Sequence, residues 1–429
     1  MSRLGRNDFV LELESAINLA EWEDTRGCRG CGSTSRVEFL SFGDMPLVDA
    51  LVAPEQQTER RFPLTVMFCQ NCSLVQIRES VDPRVLFCED YPYYSSFSDA
   101  WMAHCRSSAQ ELIERRSLDA SSLVLEVACN DGYMLRHFQE CGVGVLGVDP
   151  AGPVEVARQL EIPVVQDFFT HELARQLQAA GQSADVIIAN NVLAHVPDLP
   201  GFVAGIGEVL KADGVAVIEC PYIRDLIEQC QFDTIYHEHH CYFSVTALQK
   251  LFSQAGLVLS DVRRLPTHGG SLRLYVEHQA KPSENVIGLL AEERRLGLDR
   301  AEYYADFATR VRKVQSTLRI LLHDLRENGR RVAAYAAAAK GATLLNSCQI
   351  GRELVEYVVD RNPHKQGKLM PGVRVPIRDP ACLLEDRPDF CLILAWNLAD
   401  EIAHQQRAYA EAGGRFVVPI PEPALWKPR

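Results

Sequence analysis

The sequence contains no apolar run of the roughly 18 residues that a membrane-spanning helix needs, so no membrane partner is expected. It is also short of positive charge: 44 Lys and Arg stand against 57 Asp and Glu, a formal net charge of −13. Binding to a nucleic-acid backbone depends on clustered cations that neutralise phosphates, and that class of partner is excluded too. The opening residues, Met1 to Asp8, run into acidic positions without the apolar core of a secretion signal, so a cytoplasmic location is expected. Apolar residues are plentiful. At 47% hydrophobic and 24% charged over 429 residues, the chain reads as a soluble globular protein of two or three domains.

The 14 cysteines do not form a secreted-type disulfide framework in a chain of this length and expected location. Most, such as Cys220, Cys382 and Cys391, sit inside apolar runs as small core residues. Four stand apart: Cys28 and Cys31 make one C-x-x-C, Cys69 and Cys72 another, with 37 residues between the pairs. Two such turns aim four thiolates at one point, the arrangement of a tetrahedral structural zinc site. Strand-like runs, Val37 to Phe42 and Thr65 to Phe68, lie between them.

Further along, Leu123-Val-Leu-Glu126 runs into the polar turn Val127-Ala-Cys129-Asn130-Asp-Gly132 and then a helix beginning near Tyr133. Strand, glycine-containing turn and helix N-terminus open a nucleotide-binding α/β unit. A second strand, Val143 to Asp149, ends in a carboxylate able to accept hydrogen bonds from ribose hydroxyls. A third, Ile162 to Phe169, offers Asp167 and Phe168 to the edge and face of an adenine. A fourth, Ala184 to Asn191, ends in Asn190 and Asn191, and a fifth runs from Val215 to Tyr222. This order, continued by Val-Leu-Ala-His195, resembles the class I S-adenosylmethionine methyltransferases, and the full G-x-G-x-x-G of dehydrogenases is absent. The fold expected is α/β, a Rossmann-like sheet flanked by the zinc module and a second, smaller Rossmann-like domain.

Tyr236-His237-Glu238-His239-His240 packs three histidines, a glutamate and a tyrosine into five positions. Either a metal cluster or an acid/base centre would use such a stretch. Adjacent side chains diverge, so at most two or three could meet one ion, and the acid/base reading is preferred. In the C-terminal third, Phe307, Val311, Val314, Leu318, Leu321 and Leu325 make the apolar stripe of a long helix that Gly329 ends. Strands at Arg331 to Tyr335, Val355 to Asp360, Phe390 to Asn397 and Arg415 to Ile420 then form a second sheet, with Lys340 near a helix start where a diphosphate could meet it.

These motifs occur in one order: paired C-x-x-C, Asp90-Tyr91-Pro-Tyr93-Tyr-Ser-Ser96, Glu126 to Gly132, Tyr236-His-Glu-His239 and His268-Gly-Gly270. The chain resembles, over almost its whole length, the C-methyltransferases that alkylate C-3′ of a nucleotide-linked 4-keto-6-deoxysugar. The resemblance implies a zinc module over 1–85, a methyltransferase domain over 86–280 and a sugar-nucleotide domain over 281–429. It implies S-adenosylmethionine as cofactor, held by Glu126, Cys129, Asn130, Gly132, Asp149, Asp167, Phe168, Asn190 and Asn191. His239 is implied as the base with Glu238 as its partner, Tyr236 and His195 as donors near the keto oxygen, and Tyr91 or Tyr93 closing the site. His268, Tyr335, Lys340 and Asn397 would meet the substrate, and a monomer or weak homo-oligomer is expected. Two other readings stay open: a small-molecule O- or N-methyltransferase, and a non-catalytic zinc and nucleotide binder suggested by Ala128 and Ala336 where glycine is usual.

Overall fold

The computed structural model describes residues 22–87 and 94–426. Five strands open the described residues: β1 (Trp22–Asp24), β2 (Arg36–Pro46), β3 (Arg61–Cys69), β4 (Val75–Ile77) and β5 (Glu79–Val81). β2 and β3 pair antiparallel with Val37 opposite Phe68 and Ser41 opposite Thr65, so the two strand-like runs of the sequence face each other. The cysteine pairs sit on the turn before β2 and the turn that closes β3.

The middle sheet comprises β6 (Leu123–Val127), β7 (Gly144–Val148), β8 (Val164–Val165), β9 (Ala184–Asn190) and β10 (Leu210–Pro221). After it, β11 (Cys241–Tyr242) leaves this sheet and pairs with β4 of the N-terminal module. β12 (Val258–Leu265) and β13 (Ser271–Glu277) then return to it as an antiparallel hairpin. The strand order is β8-β7-β6-β9-β10-β13-β12, parallel from β8 to β10. It is the class I methyltransferase sheet. The order reverses between β6 and β9, and the crevice outside the carboxyl ends of those strands is where such sheets bind ligands. The third strand is shorter than the sequence suggests: Pro163 lacks an N–H and β8 lies at the sheet edge, so only two residues join the ladder.

The C-terminal sheet is built on the same plan, with β14 (Val332–Tyr335), β15 (Val358–Val359), β16 (Ile377–Arg378), β17 (Phe390–Ile393), β18 (Arg415–Val418) and β19 (Ala424–Leu425). Its order, β16-β15-β14-β17-β18-β19, reverses between β14 and β17. Ahead of it runs the helix Phe307–Glu327, which buries Phe307, Val311, Val314, Leu318 and Leu322, while Leu321 and Leu325 pack along the margin of that stripe.

Two large apolar cores result. One, through Leu125, Ile187 and Leu274, lies on one face of the middle sheet. The other joins Val66, Phe68 and Ile77 of the N-terminal sheet to Val311 and Leu318 of the long helix and Val332 and Leu392 of the C-terminal sheet. Each such fully buried side chain contributes about 1.5–3 kcal/mol of transfer free energy, so the first and last parts of the chain stabilise one another. No helix among the described residues is long and apolar enough to cross a membrane.

Candidate active site

Cys28, Cys31, Cys69 and Cys72 place their four Sγ atoms within 4.8 Å of one another, with Cys28–Cys72 at 3.4 Å and Cys31–Cys69 at 3.7 Å. Tetrahedral zinc bound at 2.3 Å by four thiolates needs sulfur separations of about 3.8 Å, so the residues fit the metal. The Asn71 side-chain amide lies 3.4 Å from Cys31 Sγ and donates to it, supporting the ligand from outside the cluster. Among the described residues this is the single group of metal-ligating side chains gathered closely enough for one ion.

A cleft of about 670 Å³ opens at the carboxyl ends of the middle strands. The first strand–helix turn forms one wall. Its backbone is left-handed at Ala128 (φ 60°) and Asn130 (φ 48°), and Gly132 closes it at φ 76°. An alanine therefore occupies a conformation that costs an L-residue about 1–2 kcal/mol. Asp149, at the end of β7, accepts hydrogen bonds from the amides of Asn130 (2.9 Å) and Ala151 (2.8 Å). Burial raises its carboxyl to about 6 despite those two donors. Phe168, Asn190 and Asn191 line the same wall.

The structure does not bring every expected cofactor residue to the cleft. Cys129 is fully buried, its sulfur turned toward β7 so closely that a Cβ on Gly147 would lie 2.5 Å from it. Glu126 is also fully buried and off the cleft wall, and its carboxyl is pushed well above the usual range by desolvation. The Asp167 carboxylate is exposed and accepts the amide of Phe168, so the Asp-Phe pair offers its ring but not its acid to this wall.

Opposite lies the turn Tyr236–His239, closed by the His239 amide donating to the Tyr236 carbonyl at 3.0 Å. His239 Nδ1 lies 2.9 Å from the Thr234 carbonyl, an acceptor that makes Nδ1 the protonated nitrogen. Its Nε2 is then the lone-pair atom, and the Tyr236 hydroxyl donates to it at 3.1 Å. The ring of His195 meets that of His239 edge-on at 4.7 Å. Burial lowers His239 well below the ordinary histidine range, with His195, Lys340 and His268 adding to the effect. His195 falls to about 4, also through burial. Glu238, 3% exposed, lines the cleft beside them. The group that orients the His239 ring is thus the Thr234 carbonyl, a backbone atom that leaves no mark in the sequence.

His237 and His240 point elsewhere. His237 Nε2 donates to the Pro63 carbonyl at 3.0 Å, and His240 is buried near Arg29 of the N-terminal module. A compact turn, not an extended strand, separates them from His239.

The third wall comes from the C-terminal sheet. Lys340, on the helix Ala339–Ser347, donates to Asn397 Oδ1 at 2.7 Å and lies 5.0 Å from the centre of the Trp396 ring. Trp396 Nε1 donates to Asp233 at 2.7 Å, and burial raises that carboxyl to about 6. Asn397 thus reaches the cleft through Lys340. Tyr335 does not: its ring packs into the core on the far side of the sheet with its hydroxyl 3.5 Å from Gln405. His268, 3.2 Å from the Asn191 amide and against Trp101, bridges the cofactor and C-terminal walls. Tyr91 and Tyr93 lie outside the described residues. The Asp233–Trp396 pair is a feature that sequence reasoning missed, because its partners are 163 residues apart.

Family models match each part of the chain. A putative zinc-binding domain model matches residues 28–87, a methyltransferase domain model 101–262, and a C-methyltransferase C-terminal domain model 266–421. The chain is 36% identical over 406 residues to the C-methyltransferase NovU of Streptomyces niveus, covering 93% of this chain and 96% of NovU. The chain belongs to the C-methyltransferase family. An ubiquinone biosynthesis O-methyltransferase of Chelativorans sp. (strain BNC1) is 28% identical over 156 residues, 32% of this chain and 59% of its own length. This C-methyltransferase is S-adenosylmethionine-dependent, and its four cysteines form a structural zinc site.

Proposed function

We propose that this C-methyltransferase acts on a nucleotide-linked 4-keto-6-deoxysugar and methylates C-3′, the carbon beside the keto group. The observation that carries the reading is a convergence in one cleft. The His239 lone pair, the Asn130–Asp149 turn and the half-buried ammonium of Lys340 all line it, each from a separate part of the chain.

A carbon accepts a methyl group only as a nucleophile, and a C–H beside a ketone becomes one through its enolate. In this reading His239 Nε2 takes that proton. The Tyr236 hydroxyl now bonded to Nε2 turns to the developing enolate oxygen, which frees the lone pair at the moment it is needed. The neutral His195 ring supplies a second donor there, and Glu238 supports the imidazolium once formed. Asp149 and Asn130 hold the ribose of the methyl donor, whose sulfonium supplies the methyl group. Lys340 holds the diphosphate, with His268 between the two ligands. The labour divides among a zinc module (1–85), a methyltransferase domain (86–280) and a sugar-nucleotide domain (281–429).

Solvent deuterium exchange tests the reading. With S-adenosylhomocysteine bound in place of the methyl donor, deuterium should enter the carbon beside the keto group of the nucleotide sugar. Methyl transfer from an enzyme that never exchanges this hydrogen would sink it.

A further inference from the structure

The C-terminal sheet has a second cavity, of about 520 Å³, at the end of its strands opposite the cleft. Arg331, Glu356 with Tyr357, and Pro376 lie just before β14, β15 and β16, whereas Ala336 to Lys340 follow β14. A five-residue separation along an extended chain puts the two sites on the order of 15 Å apart. Four arginines line this cavity: Arg326, Arg331, Arg352 and Arg378.

Two of them are held. Arg331 donates to the Glu356 carboxylate through Nε and Nη2, at 3.1 Å and 2.7 Å, and to the Asp386 carbonyl at 2.7 Å. Arg378 pairs with Asp386 at 2.6 Å, its guanidinium 4.5 Å from the centre of the Tyr357 ring. Those two carboxylates are spent on the two held arginines. Arg326 and Arg352 are exposed and have no ion-pair partner among the described residues. The lining therefore carries two uncompensated positive charges in a chain whose net charge is −13. Planar guanidinium forks, some fixed by carboxylates and others left open, suit a multiply charged oxyanion whose paired oxygens they can meet two at a time, rather than a further carboxylate of the kind the chain already supplies.

We propose that this cavity is a binding site for a diphosphate group, separate from the catalytic cleft. Arg326, Arg352 and the unbonded edge of Arg378 contact the anion, while Glu356 and Asp386 hold the other guanidinium in place. Inorganic pyrophosphate and the diphosphate of a nucleotide share this chemistry.

Titration calorimetry on the full zinc-loaded chain with inorganic pyrophosphate tests the site. The R326A/R352A double variant should lower the affinity at least tenfold at unchanged melting temperature, because both side chains are exposed and unpartnered. In a Lys340→Ala background, which removes the diphosphate contact proposed for the cleft, the arginine cavity should still take up pyrophosphate, and adding R326A/R352A should abolish that uptake. A nucleoside diphosphate run in parallel separates the sources: tighter binding than pyrophosphate, lost in the same double variant, assigns the site to nucleotides. Equal binding of the two assigns it to the diphosphate alone. The proposal is overturned if wild-type protein takes up no pyrophosphate at millimolar concentration, if the double variant binds as well as wild type, or if Lys340→Ala abolishes binding.

Discussion

A histidine that removes a proton must be neutral when its substrate arrives, and burial keeps His239 so down to well below neutral pH. His239→Asn keeps a donor for the Thr234 carbonyl but lacks the lone pair. Both ligands should bind nearly as before, while the single-turnover methyl-transfer rate falls by about 10²–10⁴. Wild-type rates in that variant would move the base to another residue. Burial shifts His239 and His195 downward and the Asp149 carboxyl upward. Asp149, raised to about 6, is protonated below that pH, and only its ionised form accepts strongly from ribose hydroxyls. Affinity for S-adenosylmethionine should therefore rise with pH through about 6 and level off above it. Asp149→Asn should bind at least tenfold more weakly and lose that pH dependence, both readable by calorimetry from pH 5 to 8. Ala128 offers a quieter test. Its left-handed backbone costs more than the entropy a glycine would lose in the unfolded chain, so Ala128→Gly should raise unfolding free energy by about 0.5–1 kcal/mol in denaturant titration.

At the level of elements, the turn Tyr236–His239 is clamped from several sides. Its own continuation, β11, pairs with β4 of the zinc module, and the Ile77 amide donates to the His240 carbonyl at 3.0 Å. From the other side Thr343 donates to the Ile235 carbonyl, and Trp396 to Asp233. Close by, Gly269 at φ 95° lies where an added Cβ would come within 2.7 Å of Trp396, so the β12–β13 hairpin also needs a glycine to let that ring in. The zinc site is thus tied through one ladder to Tyr236 and His239. Cys69→Ser should cost the protein its stoichiometric zinc by metal analysis, removing a site worth on the order of 10 kcal/mol. It should also lower kcat in whatever fraction stays folded, because β4 carries β11. A zinc-free, folded enzyme with wild-type kcat would show the turn to be independent of the metal.

Across the whole molecule, the N-terminal sheet, the long helix and the C-terminal sheet share one core, and Arg374 of the last part pairs with Glu59 of the first at 2.8 Å. Elements that share a core unfold together. Removing zinc with a chelator should lower the melting temperature of the transition that includes the C-terminal domain, as seen by calorimetry. A separate early transition with the later one unmoved would mean that the two parts are independent.

What the sequence determined was local. Cysteine spacing built the zinc site, because a C-x-x-C turn holds both of its thiols without help from the rest of the chain. Apolar runs and the residues that end them fixed the parallel strands of both sheets except the two-residue β16, Asp149 among those ends, because β-strand periodicity and turn chemistry are properties of a few adjacent residues. The tertiary structure decided everything that needed distant partners. It chose Thr234 to orient His239, sent His237 and His240 into the zinc module, and turned Cys129 and Tyr335 into the core away from the cleft. It also joined Asp233 to Trp396 and brought Lys340 to the cleft. A side chain's direction and proton affinity depend on what packs around it, and those neighbours come from strands and helices far away along the chain.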